Sequence, residues 1–216
     1  MDDCVTYPLA KSLGTPVSTI KRHANAHTHE YKKLLNISPI FYENVFFKEL
    51  IIFDDVGQNR NKHARFRANT EKLLLSVEPK SHPGVFILRG TNGMPRELKN
   101  EKEIAEHLRD TRGFRILDPM KCDVAKIVET CAGAQTVIGV EGSQLIHGMM
   151  TLQENGNLLT LQPPNRFVSV FKHLTDRDNQ HFGFVVGTPA GNGFFISIDE
   201  VERTLDLFPK SYVRGD

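Results

Sequence analysis

From Val85 onward, short apolar runs alternate with stretches whose apolar residues recur at helical spacing. Val85–Arg89 reads as a strand, and Glu101–Arg109 as a helix with Ile104, Ala105 and Leu108 facing inward. Phe114–Leu117 is the next strand and Asp123–Ala132 the next helix. Thr136–Val140, a β-branched run ended by glycines, reads as a buried strand, and Ser143–Leu152 as the helix after it. Asn157–Leu161 is a strand, followed by a helix from about Arg166 to Leu174. Phe182–Val186 and Phe194–Ile196 read as further strands. A closing helix spans Asp199–Phe208, with Asp199 as its N-cap and Val201, Leu205 and Leu207 packing inward. Strands alternating with helices predict a parallel sheet with right-handed crossovers and helices on both faces, a Rossmann-like α/β fold.

Ahead of this rhythm the pattern is less regular. Residues 1–36 carry turn signals at Pro8, Gly14 and Pro16, and Val17–Leu35 is basic, rich in His and open to a helical reading. His23, His27 and His29 could form a metal site, since 23 and 27 share a helix face. A solvated basic face is preferred, because no acidic or cysteine ligand accompanies them. Glu49–Phe53 reads as a strand broken by Asp54, Asp55 and Gly57, and about Asn61–Val77 as a basic helix. The Asp pair reads as a turn in preference to a cation site. Pro79, Ser81, Pro83 and Gly84 mark the best boundary. It separates an incomplete N-terminal region and linker, residues 1–80, from a Rossmann-like domain, residues 81–216.

Composition narrows the class. The 216 residues are 39% hydrophobic and 25% charged, with 27 Lys+Arg against 26 Asp+Glu, a formal net charge of +1. That suits a soluble α/β domain and gives no reason to expect nucleic acid or an anionic membrane as a partner. Cys4, Cys122 and Cys131 lack metal-ligand spacing, and the last two read as helix-face residues, so reduced thiols in a cytoplasm are expected. No apolar run approaches the roughly 20 residues of a membrane span, and no signal peptide is read.

In parallel α/β sheets ligands bind beyond the carboxyl ends of the strands. Three such ends stand out: Arg89, the Gly139–Ser143 turn, and Gln162–Pro164. At the central one, Gly139 and Gly142 free the backbone for a tight turn, Ser143 is an expected N-cap, and Gln144 follows. Free N–H groups and the helix dipole there favour an anion, so a nucleotide diphosphate is expected at this turn. Arg89 and Arg96 reach the same rim, where a guanidinium fork can clamp phosphate oxygens; surface ion pairs are the plainer alternative. Asn100 reads as an N-cap and Glu101 as a carboxylate suited to a helix start.

Glu141 would repel a close phosphate. It should face a sugar hydroxyl or pair with an arginine, or serve only as a helix-start carboxylate. His147, one turn further, could act as general base; a packed helix-face histidine is the commoner case. Pro163 and Pro164 can wall a base pocket while the Gln162 amide reads a base or sugar edge. Gly187–Gly193 reads as a mobile loop or a hairpin connection.

Taken together these residues resemble glycosyltransferase family 61, in particular its bacterial capsular and lipopolysaccharide members. The pattern is a strand ending in Arg (Val85–Arg89), then Arg-x-x-x-Asn-Glu opening a helix (Arg96 to Asn100-Glu101). A Gly-Phe strand follows (Gly113–Leu117) with a proline-bearing turn, Asp118-Pro119. Next come a helix, a glycine turn (Gly139 to Leu145), and a strand ending near a proline (Leu158–Pro163). Order and spacing agree over about residues 84–174. Glu141 stands where many members carry His, and Ser143-Gln144 replace Ala-Gly.

The resemblance implies the C-terminal, donor-binding domain of a GT-B architecture. It also implies sugar transfer from a nucleotide-activated donor to a saccharide acceptor in polysaccharide synthesis, inverting and without metal or other cofactor. The site residues would be Arg89, Arg96, Gly139, Gly142, Ser143, Gln144, Gln162 and Pro163 for the donor, with Glu141 and His147 as candidates for catalysis. The roughly 80 residues before the boundary are too few for a full acceptor domain. A truncated chain, or one completed by a homo-oligomer or a partner, is therefore expected. The competing expectation is a degenerate, non-catalytic nucleotide-binding module. A dinucleotide-binding domain is disfavoured, because no Gly-x-Gly-x-x-Gly follows a strand.

Overall fold

The computed structural model describes residues 2–19, 26–55, 57, 59–89 and 96–209. Its internal contacts divide the chain into two units, Met1–Ser76 and Val77–Asp216. The first holds α1 (Asp2–Leu13), β1 (Val17–Ser18), α2 (Ala26–Leu34), β2 (Ile40–Phe41) and α3 (Arg60–Leu74). Asn59 caps α3 by accepting the Lys62 N–H at 2.9 Å. Asp55 is the knot of this unit: it accepts from Thr6 Oγ1 at 2.8 Å and from Arg65 Nη2 at 2.6 Å. Arg65 Nε in turn donates to the Val5 carbonyl at 2.7 Å, tying α1 to α3. Burial alone would raise the Asp55 carboxyl pKa, but the bonds from Thr6 and Arg65 hold it below its ordinary value.

Two expectations change here. Glu49–Phe53 forms no strand: no neighbour supplies a ladder, and Leu50, Ile51 and Ile52 stand exposed. His23 lies outside the described residues, while His27 and His29 fall in α2. Among the described residues, no three His, Cys, Asp or Glu side chains are grouped to hold a metal.

The second unit runs β3 (His82–Ile87), α4 (Glu101–Arg112), β4 (Arg115–Leu117), α5 (Val124–Cys131), β5 (Ala134–Val140), α6 (Leu145–Met149) and β6 (Asn157–Gln162). It continues through α7 (Val170–Arg177), β7 (His181–Val186), β8 (Thr188–Ala190), β9 (Gly193–Phe195) and α8 (Ile198–Asp206). Five strands form one parallel sheet in the order β4-β3-β5-β6-β7. Side chains alternate between its faces. Phe86, Ile138, Val140, Leu159 and Leu161 share a core with Ile104, Ala105 and Leu108 of α4 and Val201 and Leu205 of α8. On the other face Ile87 and Val137 pack against α6, so closely at Gly148 that a Cβ there would lie 2.7 Å from Val137. Each fully buried Leu, Ile or Phe contributes about 1.5–3 kcal/mol. Helices on both faces of a parallel sheet make the unit Rossmann-like.

Several expected elements shift. Phe194–Ile196 does not join the sheet. Its first two residues lie in β9, which pairs antiparallel with β8, so Gly187–Gly193 is largely a hairpin. Asn100 does not cap α4 with its side chain. Instead Nδ2 donates to the Ile196 carbonyl at 2.8 Å and Oδ1 accepts the Ile196 N–H at 3.3 Å, pinning α4 to the segment before α8. Ser197, not Asp199, precedes α8. Cys131 is buried in α5, and burial pushes its thiol up to about 12; Cys122 precedes the helix.

Strand order locates the site. The chain leaves β3 for β4 on one side, then crosses back to lay β5 on the other. At such a reversal the loops leaving the two neighbouring strands diverge to opposite faces and open a crevice at their carboxyl ends. Here those ends lead to Arg89 and to Glu141–Gly142.

Candidate functional site

Arg89 follows β3 and is steered from both sides. Its N–H donates to Glu101 Oε1 at 2.8 Å, so the first residue of α4 anchors the strand's exit. Its Nη1 crosses to the β5 turn and donates to the Glu141 carbonyl at 3.0 Å and to Gln144 Oε1 at 3.2 Å. The Gln144 amide donates back to the Val140 carbonyl at 2.5 Å, which fixes the acceptor. Burial, then the neighbouring Arg96 charge, press the Arg89 guanidinium below its ordinary pKa. Burial raises the Glu101 carboxyl, opposed by the Arg89 N–H.

Arg96 Nη1 also donates to the Glu141 carbonyl, at 2.8 Å, and lies 2.6 Å from Glu141 Oε2. That carboxylate oxygen is buried and off the N–H directions, as is Arg96 Nε, so the contact is chiefly Coulombic. A third guanidinium, Arg166, sits with Nε 3.9 Å from the same oxygen. The buried Glu141 carboxylate thus faces two arginines, Arg96 and Arg166, while Arg89 holds the carbonyl of the same residue.

Gly142 is what lets Arg89 in. A Cβ there would lie 1.9 Å from Arg89 Nη1 and 2.5 Å from Gln144 Oε1. Gly139 is confined differently: its Cβ would meet the Ile87 carbonyl oxygen at 2.5 Å, a backbone atom of the adjacent strand. The helix after the turn is shorter than expected. α6 spans Leu145–Met149, and Ser143 is exposed and caps nothing with its side chain. The N–H groups of Leu145, Ile146 and His147 are taken by the carbonyls of Gly142, Ser143 and Gln144 in tight three-residue turns. A five-residue helix has little dipole to offer an anion, so the attraction must come from the guanidiniums.

Arg89, Arg96, Glu141, Gly142 and Gln144, all expected at one edge of the sheet, lie in mutual contact. His147 is half-buried on α6. Gln162 does not join the cluster: it is fully buried, its Nε2 donating to Thr160 Oγ1 at 3.2 Å and to the Val168 carbonyl at 3.1 Å. Pro163 is buried beside it. Arg166 joins the cluster without a motif in the sequence to mark it; the only signal is its place after the Pro163–Pro164 exit from β6, at the same rim. Shallow concavities run along α8, lined by Ser197, Asp199 and Glu202 and, on the β7 side, by Phe184 and Leu207. They hold none of these residues.

Residues 4–159 match the family model described as Glycosyltransferase 61. The chain belongs to the glycosyltransferase 61 family. The match covers nearly all of the first unit and the sheet through the first half of β6, including Arg89, Arg96 and Glu141. No curated protein matches the chain. Membership makes this a glycosyltransferase-family domain, with a sugar donor and an acceptor as the implied substrates. Among the described residues no helix is long and apolar enough to cross a membrane.

Proposed function

We propose that this glycosyltransferase 61 chain moves a sugar from a nucleotide-activated donor to a saccharide acceptor in polysaccharide synthesis, with inversion and without a metal. The donor's diphosphate would lie over the β3–β5 reversal. The observation that carries this reading is the convergence of three guanidiniums on one residue at the carboxyl edge of the sheet: Arg96 and Arg166 on the Glu141 carboxylate and Arg89 on the Glu141 carbonyl. When the sugar leaves, negative charge grows on the diphosphate, and guanidinium forks held in place beforehand stabilise it without reorganising.

Gln144 orients Arg89 and Gly142 gives it room. Gly139 lets β5 lie close to β3, Ser143 presents the outer rim of the turn, and Gln162 and Pro163 support the far wall. Glu141 is a positioning residue in this scheme: its carboxylate stores Arg96 until a phosphate competes for it. His147 is the candidate for accepting the acceptor's proton, since imidazole takes up protons near neutrality. The acceptor surface would be completed by a second copy or a partner. Cys4, Cys122 and Cys131 form no disulfide, which suits work in a reducing cytoplasm.

A second reading, a non-catalytic nucleotide-binding module, draws on one observation: Glu141, standing where many members carry His, closes onto Arg96. Titration with nucleoside diphosphates, followed by a donor-hydrolysis and transfer assay, separates the two. Binding with turnover supports the transferase, and binding without turnover supports the module. Arg89→Ala should weaken diphosphate binding by about 1–3 kcal/mol, the worth of a charged hydrogen bond. Unchanged affinity removes the clamp.

A further inference from the structure

The geometry points to Arg166 and Phe167 as the residues that meet the nucleotide itself, Arg166 taking a phosphate oxygen and Phe167 the flat face of the base. This rests on the diphosphate reading of the reversal and adds to it the residues that face the ligand. The three guanidiniums there are not equivalent. Arg89 is engaged by the Glu141 carbonyl and Gln144, and Arg96 by both the carbonyl and the carboxylate of Glu141. Arg166 Nε stands 3.9 Å from that carboxylate, beyond hydrogen-bond length, and its side chain is 47% exposed against 11% for Arg96. An anion arriving from water needs donors that face water, and a guanidinium offers a fork matched to phosphate oxygens.

Arg166 is also held. Pro163 and Pro164 stiffen the exit from β6, and the Arg166 N–H closes a turn onto the Pro163 carbonyl at 3.4 Å. Two residues later Gln162 Nε2 secures the Val168 carbonyl at 3.1 Å, so the segment is tied at both ends. Between those ties, Phe167 is 53% exposed. Its ring forms a T-shaped contact with Phe184 at 4.9 Å between centroids, and Phe184 is itself 46% exposed. A ring braced by a neighbour yet half open to water is available to a planar partner, and bases stack on such rings regardless of sequence. A water-facing guanidinium beside a braced open ring is the recognition pattern for a phosphate followed by a base. The occupant is therefore a nucleoside diphosphate. Neither residue lies within the stretch that matches the family, which ends at residue 159.

Calorimetric titration tests this, using uridine, adenosine, guanosine and cytidine diphosphates, the matching nucleosides, and inorganic pyrophosphate. The proteins are the full chain and its Arg166→Ala, Arg166→Lys and Phe167→Ala variants. Arg166→Ala should weaken the preferred diphosphate and pyrophosphate about 10-fold or more while leaving the nucleoside unchanged; Arg166→Lys should recover part of that loss. Phe167→Ala should weaken nucleoside and diphosphate by similar factors and leave pyrophosphate unchanged. Both side chains are exposed, so melting curves should overlay the parent's. If the parent binds and both alanine variants bind equally well, this inference falls and the diphosphate site stands. A parent that binds none of the probes overturns both.

Discussion

Two clusters of charge sit in the same unit, one between helices and one at the sheet's rim. Between α4 and α8, Glu202 accepts from Arg112 Nε at 2.5 Å and pairs with His107 at 2.8 Å, while Arg112 also reaches Asp206 at 2.8 Å. Each carboxylate there has its donor: Glu202 takes Arg112 and His107, and Asp206 takes Arg112. At the β3–β5 reversal, three arginines stand against two carboxylates, Glu141 and Glu101, and Arg96 Nε and Glu141 Oε2 are buried without a directed bond. The first cluster is closed: it joins two helices and needs nothing more. The second carries surplus positive charge and unused donors, the condition for receiving an anion. Balance, rather than the number of charges, separates a structural clamp from a candidate binding site.

The contrast is broken most severely at Arg96. Arg96→Ala strands the Glu141 carboxylate, only 5% exposed, without its nearest counter-charge, and should cost about 3–5 kcal/mol of stability. Urea denaturation measures this, and a loss below about 1 kcal/mol would mean the pair is not desolvated.

The two glycines of the turn sharpen the comparison at intermediate cost. Gly139→Ala drives a Cβ into the Ile87 carbonyl and should cost about 1–3 kcal/mol through overpacking. Gly142→Ala meets the flexible ends of Arg89 and Gln144 and strains a backbone held at φ +159°, so the larger effect should be the loss of diphosphate affinity as Arg89 is displaced, with a smaller cost in stability. Melting temperature and titration, run on both variants, should show opposite patterns; the same pattern in both would erase the distinction between sheet packing and site.

The smallest effect belongs to the closed cluster. Glu202→Ala should cost about 1 kcal/mol, less in high salt. Burial would raise the Glu202 carboxyl, but bonds from Arg112 and His107 outweigh it and hold the pKa below the usual value. A carboxyl depressed in the folded state stabilises above its unfolded pKa and loses that contribution as pH falls through the folded value. The gap between parent and variant should therefore be full at neutral pH and close in acid. A gap independent of pH would show that packing, not charge, is what Glu202 supplies.

Much of the second unit was legible because its signals are local. Val85, Phe86 and Ile87 announce a strand, Ile104, Ala105 and Leu108 a helix face, and strict alternation between the two a parallel sheet. Elements whose form depends on distant partners misled. Leu50, Ile51 and Ile52 read as a strand but find no ladder, and Phe194 pairs in a hairpin with β8 rather than in the sheet. Asn100 has a capping residue's chemistry, yet its amide serves Ile196, 96 positions away.

At the rim, the residues near strand ends could be found from sequence because strand ends follow from apolar runs. Their allegiances could not. The alternation of strands and helices, the glycine turn after β5 and the arginines at the strand exits were written in the chain, because each follows from periodicity or backbone freedom over a few residues. That the strand order reverses between β3 and β5, that Arg96 holds Glu141, and that Arg166 is the arginine left facing water came only with the folded packing. Those outcomes depend on which strands become neighbours, and hydrogen-bond pairing and burial between residues far apart in the chain settle that.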